Sequence, residues 1–125
     1  MNKICILIIT GIVAALPAVA DGKKTYREHC SVCHMEDGGG VPMMQPELIN
    51  SPIVNGEKNI LIDMLFFGSE SKYAPGESMN LMAGFQHLKD KEIADLLTYI
   101  RQNFDNKASK INGADVTQYR QSLKR

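Results

Sequence analysis

The run Cys30-Ser31-Val32-Cys33-His34 constrains this chain more than any other feature. Two thiols separated by two residues, followed at once by an imidazole, form the C-x-x-C-H spacing of covalent haem attachment. The spacing has a physical reason. Each thiol can bond one vinyl-derived carbon of the same porphyrin, and the next residue then places its imidazole under the iron as the proximal ligand. Other chemistries share part of the pattern. A C-x-x-C redox pair needs a βαβ frame, and no convincing strand alternation appears in this chain. A structural zinc site needs about four ligands, but beyond the motif only His29 and His87 remain, with no second cysteine pair. A disulfide between Cys30 and Cys33 would give His34 no role. The expected cofactor is one covalent haem c with its iron, held by Cys30, Cys33 and His34.

The start of the chain points to export. Met1-Asn2-Lys3 is a short basic opening, Ile4 to Leu16 is strongly apolar, Pro17 breaks the run, and Ala18-Val19-Ala20 follows as an A-x-A site. This pattern predicts a signal peptide over 1–20. The apolar run is short for a spanning helix, which needs about 20 residues, so no integral membrane segment is expected after removal. Cys5 would leave with the peptide. Residues 21–125 would remain, with Cys30 and Cys33 as their cysteines, in an oxidising periplasmic compartment. The full chain balances 14 basic against 14 acidic side chains and contains no block of like charge. Neither nucleic acid nor a charged membrane surface is an indicated partner.

An all-α domain over 21–104 is expected, with a C-terminal extension over 105–125. The first helix should run from Lys23 to Val32. The second should span Glu57 to Phe67, with Ile60, Leu61, Met64 and Leu65 apolar and Gly68 as the stop. The third should span Lys91 to Phe104 with Asp90 as its N-cap, on the stripe Ile93, Leu96, Leu97, Ile100 and Phe104. A short helix is expected from Ala114 to Leu123. Between them, Glu36 to Asn55 and Ser69 to Phe85 read as loops rich in glycine and proline. Loops this long are unusual in a small domain, and a buried macrocycle would give them something to pack against.

The chain resembles the class I single-haem cytochromes c, in particular small ones similar to the haem subunits of quinoprotein alcohol dehydrogenases. Besides C-x-x-C-H, the matching residues are Gly22 and Tyr26, then Pro46-Glu47-Leu48, then the loop from Gly76 to Phe85. Leu88, Asp90 and the run Ile93 to Arg101 match the family's last helix. The resemblance implies that the Pro46 carbonyl accepts a hydrogen bond from the His34 imidazole. It also implies that Leu48 and Phe85 pack on the haem, and that Tyr26 and Tyr99 lie where the first and last helices cross at Gly22. Two residues depart from the pattern: Met35 follows His34 where glycine is common, and Ala83 stands where proline usually follows the ligand methionine.

Met82 is the expected distal ligand. It closes a loop directly before the last helix, 48 residues past His34. Met79, three residues earlier, and His87 are its rivals. Met64 is expected in the core. Two functions stay open. One is a non-enzymatic electron carrier with His34 and Met82 as iron ligands. It would be monomeric and exchange electrons with a dehydrogenase, a quinol:cytochrome c oxidoreductase or a terminal oxidase. The other is a ligand-binding or peroxidase-like haem protein, which needs an open distal site.

Overall fold

Two helices distant in sequence cross at a glycine, and the rest of the chain is arranged around that crossing. In the computed structural model, which describes residues 19–74 and 81–125, helix α1 (Val19–His29) packs on helix α5 (Asp90–Gln102). Most of the expected signal peptide therefore lies outside the described residues. At the crossing, a Cβ on Gly22 would intrude on the Asp95 carbonyl and come within 2.9 Å of the Tyr99 Cβ. Only glycine lets the two backbones approach so closely. One turn further on, Tyr26 is 1 % exposed and its ring lies 5.6 Å from Tyr99 and 5.1 Å from Phe104.

Four more helices complete the fold among the described residues: α2 (Ser31–His34), α3 (Pro52–Asn55), α4 (Lys58–Phe67) and α6 (Gly113–Ser122). A short 3-10 turn, Gly68–Glu70, follows α4. No strand forms among the described residues, where β-pairing is limited to a bridge between Val41 and Gln45. The all-α expectation therefore holds. No described helix is long and apolar enough to cross a membrane.

The element bounds differ from expectation in instructive ways. The first helix stops at His29, and the haem motif forms a separate turn, α2. The one-turn helix α3 lies in a segment read as loop, with Ser51 Oγ accepting from the Val54 N–H and Pro52 in the first turn. Asp90 is the first residue of α5, not its N-cap. Lys89 takes that place, and the Glu92 carboxylate accepts its backbone N–H at 2.9 Å. The Asp90 carboxylate is engaged elsewhere. It accepts from the Thr117 hydroxyl and from Arg120 Nε, which hold it below the usual carboxylate range.

Those partners belong to α6, which starts on a reciprocal cap between Asn112 and Asp115. The segment expected as an extension supplies Ile111, Val116 and Tyr119 to the core. Tyr119 meets Phe66 edge-on at 5.6 Å, and Arg120 lies over the same ring. This second covering helix turns the buried face of α4. Leu61, Ile62, Leu65 and Phe66 are buried, whereas the expected stripe members Ile60 and Met64 are half-buried. Helix α5 is enclosed so fully that Asp95, Thr98 and Arg101 are buried with its apolar stripe. Arg101 donates to the carbonyls of Val54, Gly56 and Ser109, tying α3, α5 and the tail together.

Candidate haem-attachment site

The motif follows directly from the end of α1. The Cys30 N–H continues the α1 ladder to the Tyr26 carbonyl at 2.8 Å, and the N–H groups of Cys33 and His34 both return to the Cys30 carbonyl. This turn leaves Cys30 6 % exposed against the core and Cys33 on the surface, with neither in a disulfide. Burial, and then the neighbouring Cys33, push the Cys30 thiol up to about 12.

His34 is oriented by a second segment. Its Nδ1 lies 2.9 Å from the Pro46 carbonyl oxygen. A carbonyl can only accept, so this contact places the ring proton on Nδ1 and leaves the Nε2 lone pair free for a metal. The loop is shaped for the contact. The Gly40 N–H binds the His34 carbonyl, Val41 and Gln45 pair across a tight turn, and the Leu48 N–H binds the Gly38 carbonyl. Gly40 has φ +61°, and a Cβ there would stand 2.7 Å from the Pro46 oxygen. The glycine run therefore does more than form a loop: it admits the carbonyl that His34 uses. Residue type alone did not single out Gly40 for this purpose.

Tyr26 closes the inner side. Its hydroxyl donates to the Met35 carbonyl at 2.7 Å, and burial raises the phenol well above its ordinary range. Met35 has φ 63° and ψ 161°, a conformation suited to glycine and costing other residues about 1–3 kcal/mol. Glycine would remove that strain but gain freedom in the unfolded chain, worth up to about 1 kcal/mol. Met35→Gly should therefore raise stability by about 1 kcal/mol in thermal melts of the holoprotein. Unchanged or lower stability would show that the turn is not strained.

Further apolar side chains come from the loop after the motif, from α3 and α4, and from the segments on either side of α5. Leu48, Ile53, Phe67, Met82, Phe85, Leu88 and Phe104 are half-buried and packed against the core. The Met82 backbone is clasped to Ser69. Its N–H donates to Ser69 Oγ at 2.7 Å, and its carbonyl accepts the Ser69 N–H at 3.0 Å. The Phe85 N–H binds the Leu65 carbonyl. Of the expected rivals, Met79 is outside the described residues, and His87 is exposed. His29 is also exposed and lies edge-on to Phe85 at 5.7 Å.

The donor set fits a haem better than a bare metal ion. Among the described residues, no group of three or more His, Cys, Asp or Glu side chains could hold a metal. What the chain offers is an imidazole with its tautomer set, two free thiols beside it, and a set of half-buried apolar side chains packed against the core. An all-helical chain with this arrangement has the makings of a protein with a covalently attached haem. The family model for cytochrome c matches residues 19–104, and the chain belongs to that family. Membership implies covalent haem c with iron. The chain is 34 % identical over 102 residues to cytochrome c-552 of Thermus thermophilus, covering 77 % of this chain and 68 % of that one. It is 35 % identical over 120 residues to the cytochrome c subunit of the quinone alcohol dehydrogenase of Gluconacetobacter polyoxogenes. That alignment covers 91 % of this chain and 24 % of the subunit. The corresponding subunit of Gluconobacter oxydans is 33 % identical over 105 residues, or 79 % of this chain and 22 % of the subunit. The chain thus spans about a quarter of the length of these dehydrogenase subunits.

Proposed function

We propose that the chain is an exported cytochrome carrying a single haem on Cys30 and Cys33, ligated by His34 and Met82, that passes single electrons between protein partners. The observation that carries this reading is the His34 contact with the Pro46 carbonyl beside two free thiols. Bound there, haem iron supplies a one-electron couple whose potential follows its axial ligands. The protein's own part is positional. Pro46 holds the imidazole plane and raises its basicity. A thioether from Met82 would close the opposite side, which favours electron transfer over binding of small molecules. Leu48 and Phe85 would exclude water from the ring. The dehydrogenase relatives favour a dehydrogenase as donor, and a quinol:cytochrome c oxidoreductase or a terminal oxidase are the other partner classes. Export into a periplasm rests on the 1–20 pattern, and the carrier is read as a monomer.

The test is direct. After denaturing electrophoresis, a haem-peroxidase stain should mark the protein band, and Cys33→Ala, left with a single thioether, should mature poorly. A colourless wild-type band of apoprotein mass would refute attachment. The oxidised holoprotein should also show the weak far-red absorption of a methionine–iron bond. A ligand-binding or peroxidase-like protein with an open distal site would lack it.

A further inference from the structure

Asp63 is a carboxylate inside the apolar face of α4, 3 % exposed and flanked by Ile62 and the buried Leu61, Leu65 and Phe66. A buried carboxylate is costly unless its oxygens are satisfied, and here both are. Ser71 Oγ donates to Oδ1 at 2.5 Å, and the Tyr119 hydroxyl donates to Oδ2. Burial, and then the hydrogen bond to Asp63, raise the Tyr119 phenol, so it remains a donor.

The two donors come from functionally different places. Tyr119 belongs to α6. Ser71 ends the 3-10 turn, its N–H bound to the Gly68 carbonyl at 3.1 Å. Within the same turn, Ser69 makes both hydrogen bonds to the Met82 backbone. Gly68, at φ +57°, lies so close to the Met82 carbonyl that a Cβ would collide with it. A continuous chain of hydrogen bonds and one tight turn therefore runs from α6 through Asp63 to Met82. Ser71 and Met82 are thus both held by this turn, and Asp63 holds Ser71.

We propose that Asp63 is a positioning residue for Met82: held between Tyr119 and Ser71, it fixes the turn on which the Met82 backbone is clasped. Helix α6 thereby governs how readily the thioether gives way to an external ligand. This inference rests on the reading of Met82 as the distal ligand. The alternative is that the cluster merely adds stability.

Cyanide binding to the oxidised holoprotein separates these cases, because cyanide must wait for the thioether to leave. Tyr119→Phe keeps the ring against Phe66 and removes only the donor, and Asp63→Asn keeps the shape of the carboxylate. Tyr119→Phe alone carries the test if Asp63→Asn does not mature. Each should speed cyanide binding by up to about tenfold, the equivalent of one net hydrogen bond. Thr98→Val is the control. It removes the paired hydrogen bonds between Thr98 and Ile111, on the far end of the α5–tail contact, and should leave the cyanide rate unchanged while lowering the melting temperature. Unchanged rates in Tyr119→Phe, or an equal rise in Thr98→Val, would overturn the proposal. Met82→Ala is measured in parallel. If it keeps the far-red band, the ligand assignment fails and the proposal falls with it. If it loses the band while Tyr119→Phe binds cyanide at the wild-type rate, only the proposal fails.

Discussion

Met82→His should keep a low-spin haem and lower its midpoint potential by a few tenths of a volt, a large part of the roughly 0.8 V that axial ligands command. The expectation combines position with ligand chemistry. Imidazole donates more strongly than a thioether and favours the oxidised iron. The replacement is geometrically reasonable because the Met82 backbone is held at both its N–H and its carbonyl by Ser69. The side chain can change while its point of departure stays. Redox titration with optical detection gives the number. Met79→Ala is the necessary companion, since Ala83 stands where a stiffening proline is usual. If Met79→Ala abolishes the far-red band and Met82→His leaves the potential unchanged, the ligand is Met79.

Gly22→Ala should be among the most damaging small substitutions in the chain. Two opposing terms decide its sign. Alanine is favoured over glycine inside a helix by about 1 kcal/mol. Against this, the added Cβ would overlap the Asp95 carbonyl, a backbone group of α5 that cannot swing aside like the end of a flexible side chain. Relieving the overlap means moving α1 off α5 and loosening Tyr26, Tyr99 and Phe104 together. Overpacking in a filled core costs about 1–3 kcal/mol and sometimes more; overlap with rigid backbone belongs at the top of that range, so after the alanine gain the net loss should be about 2 kcal/mol. Gly22→Leu should exceed that and yield little holoprotein. Thermal unfolding of the purified holoprotein reads the first, and haem-stained yield reads the second. An alanine variant as stable as wild type would mean that the helices do not cross where the structure places them.

Local patterns carried much of this architecture. The α4 and α5 runs were readable because apolar residues recur at helical spacing and Gly68 ends the first of them. The cysteine pair and its histidine were readable because one cofactor requires that spacing. Tertiary packing explains where reading the sequence fell short. Asp90 looked like a cap because capping is a local rule, but its carboxylate is recruited by Arg120, 30 residues away. The α6 segment looked peripheral because its apolar pattern is weak. Its contribution rests on Val116 and Tyr119, whose importance depends on Phe66 being opposite. Asp63, an acid inside Asn59-Ile60-Leu61-Ile62-Asp63-Met64-Leu65-Phe66-Phe67, was passed over in the sequence. It became interpretable only when Ser71 and Tyr119 were found at its two oxygens.

The burial of Cys30 would impose an order on any chemistry at its sulfur. Packed in the core, the free thiol is 6 % exposed, and burial raises its pKa to about 12. Reagents that act on thiols or thiolates would find it sealed. With Cys30 as an attachment point, bond formation to the porphyrin would belong to an open chain. The order of elements suits that timing: the cysteines precede α3, α4, α5 and α6 along the chain, and α4, α5 and α6 supply most of the core cluster to which Cys30 belongs. A variant that collapses rapidly without its cofactor would close the door on its own maturation. For such a chain, slow closure of the core would serve as a window for attachment.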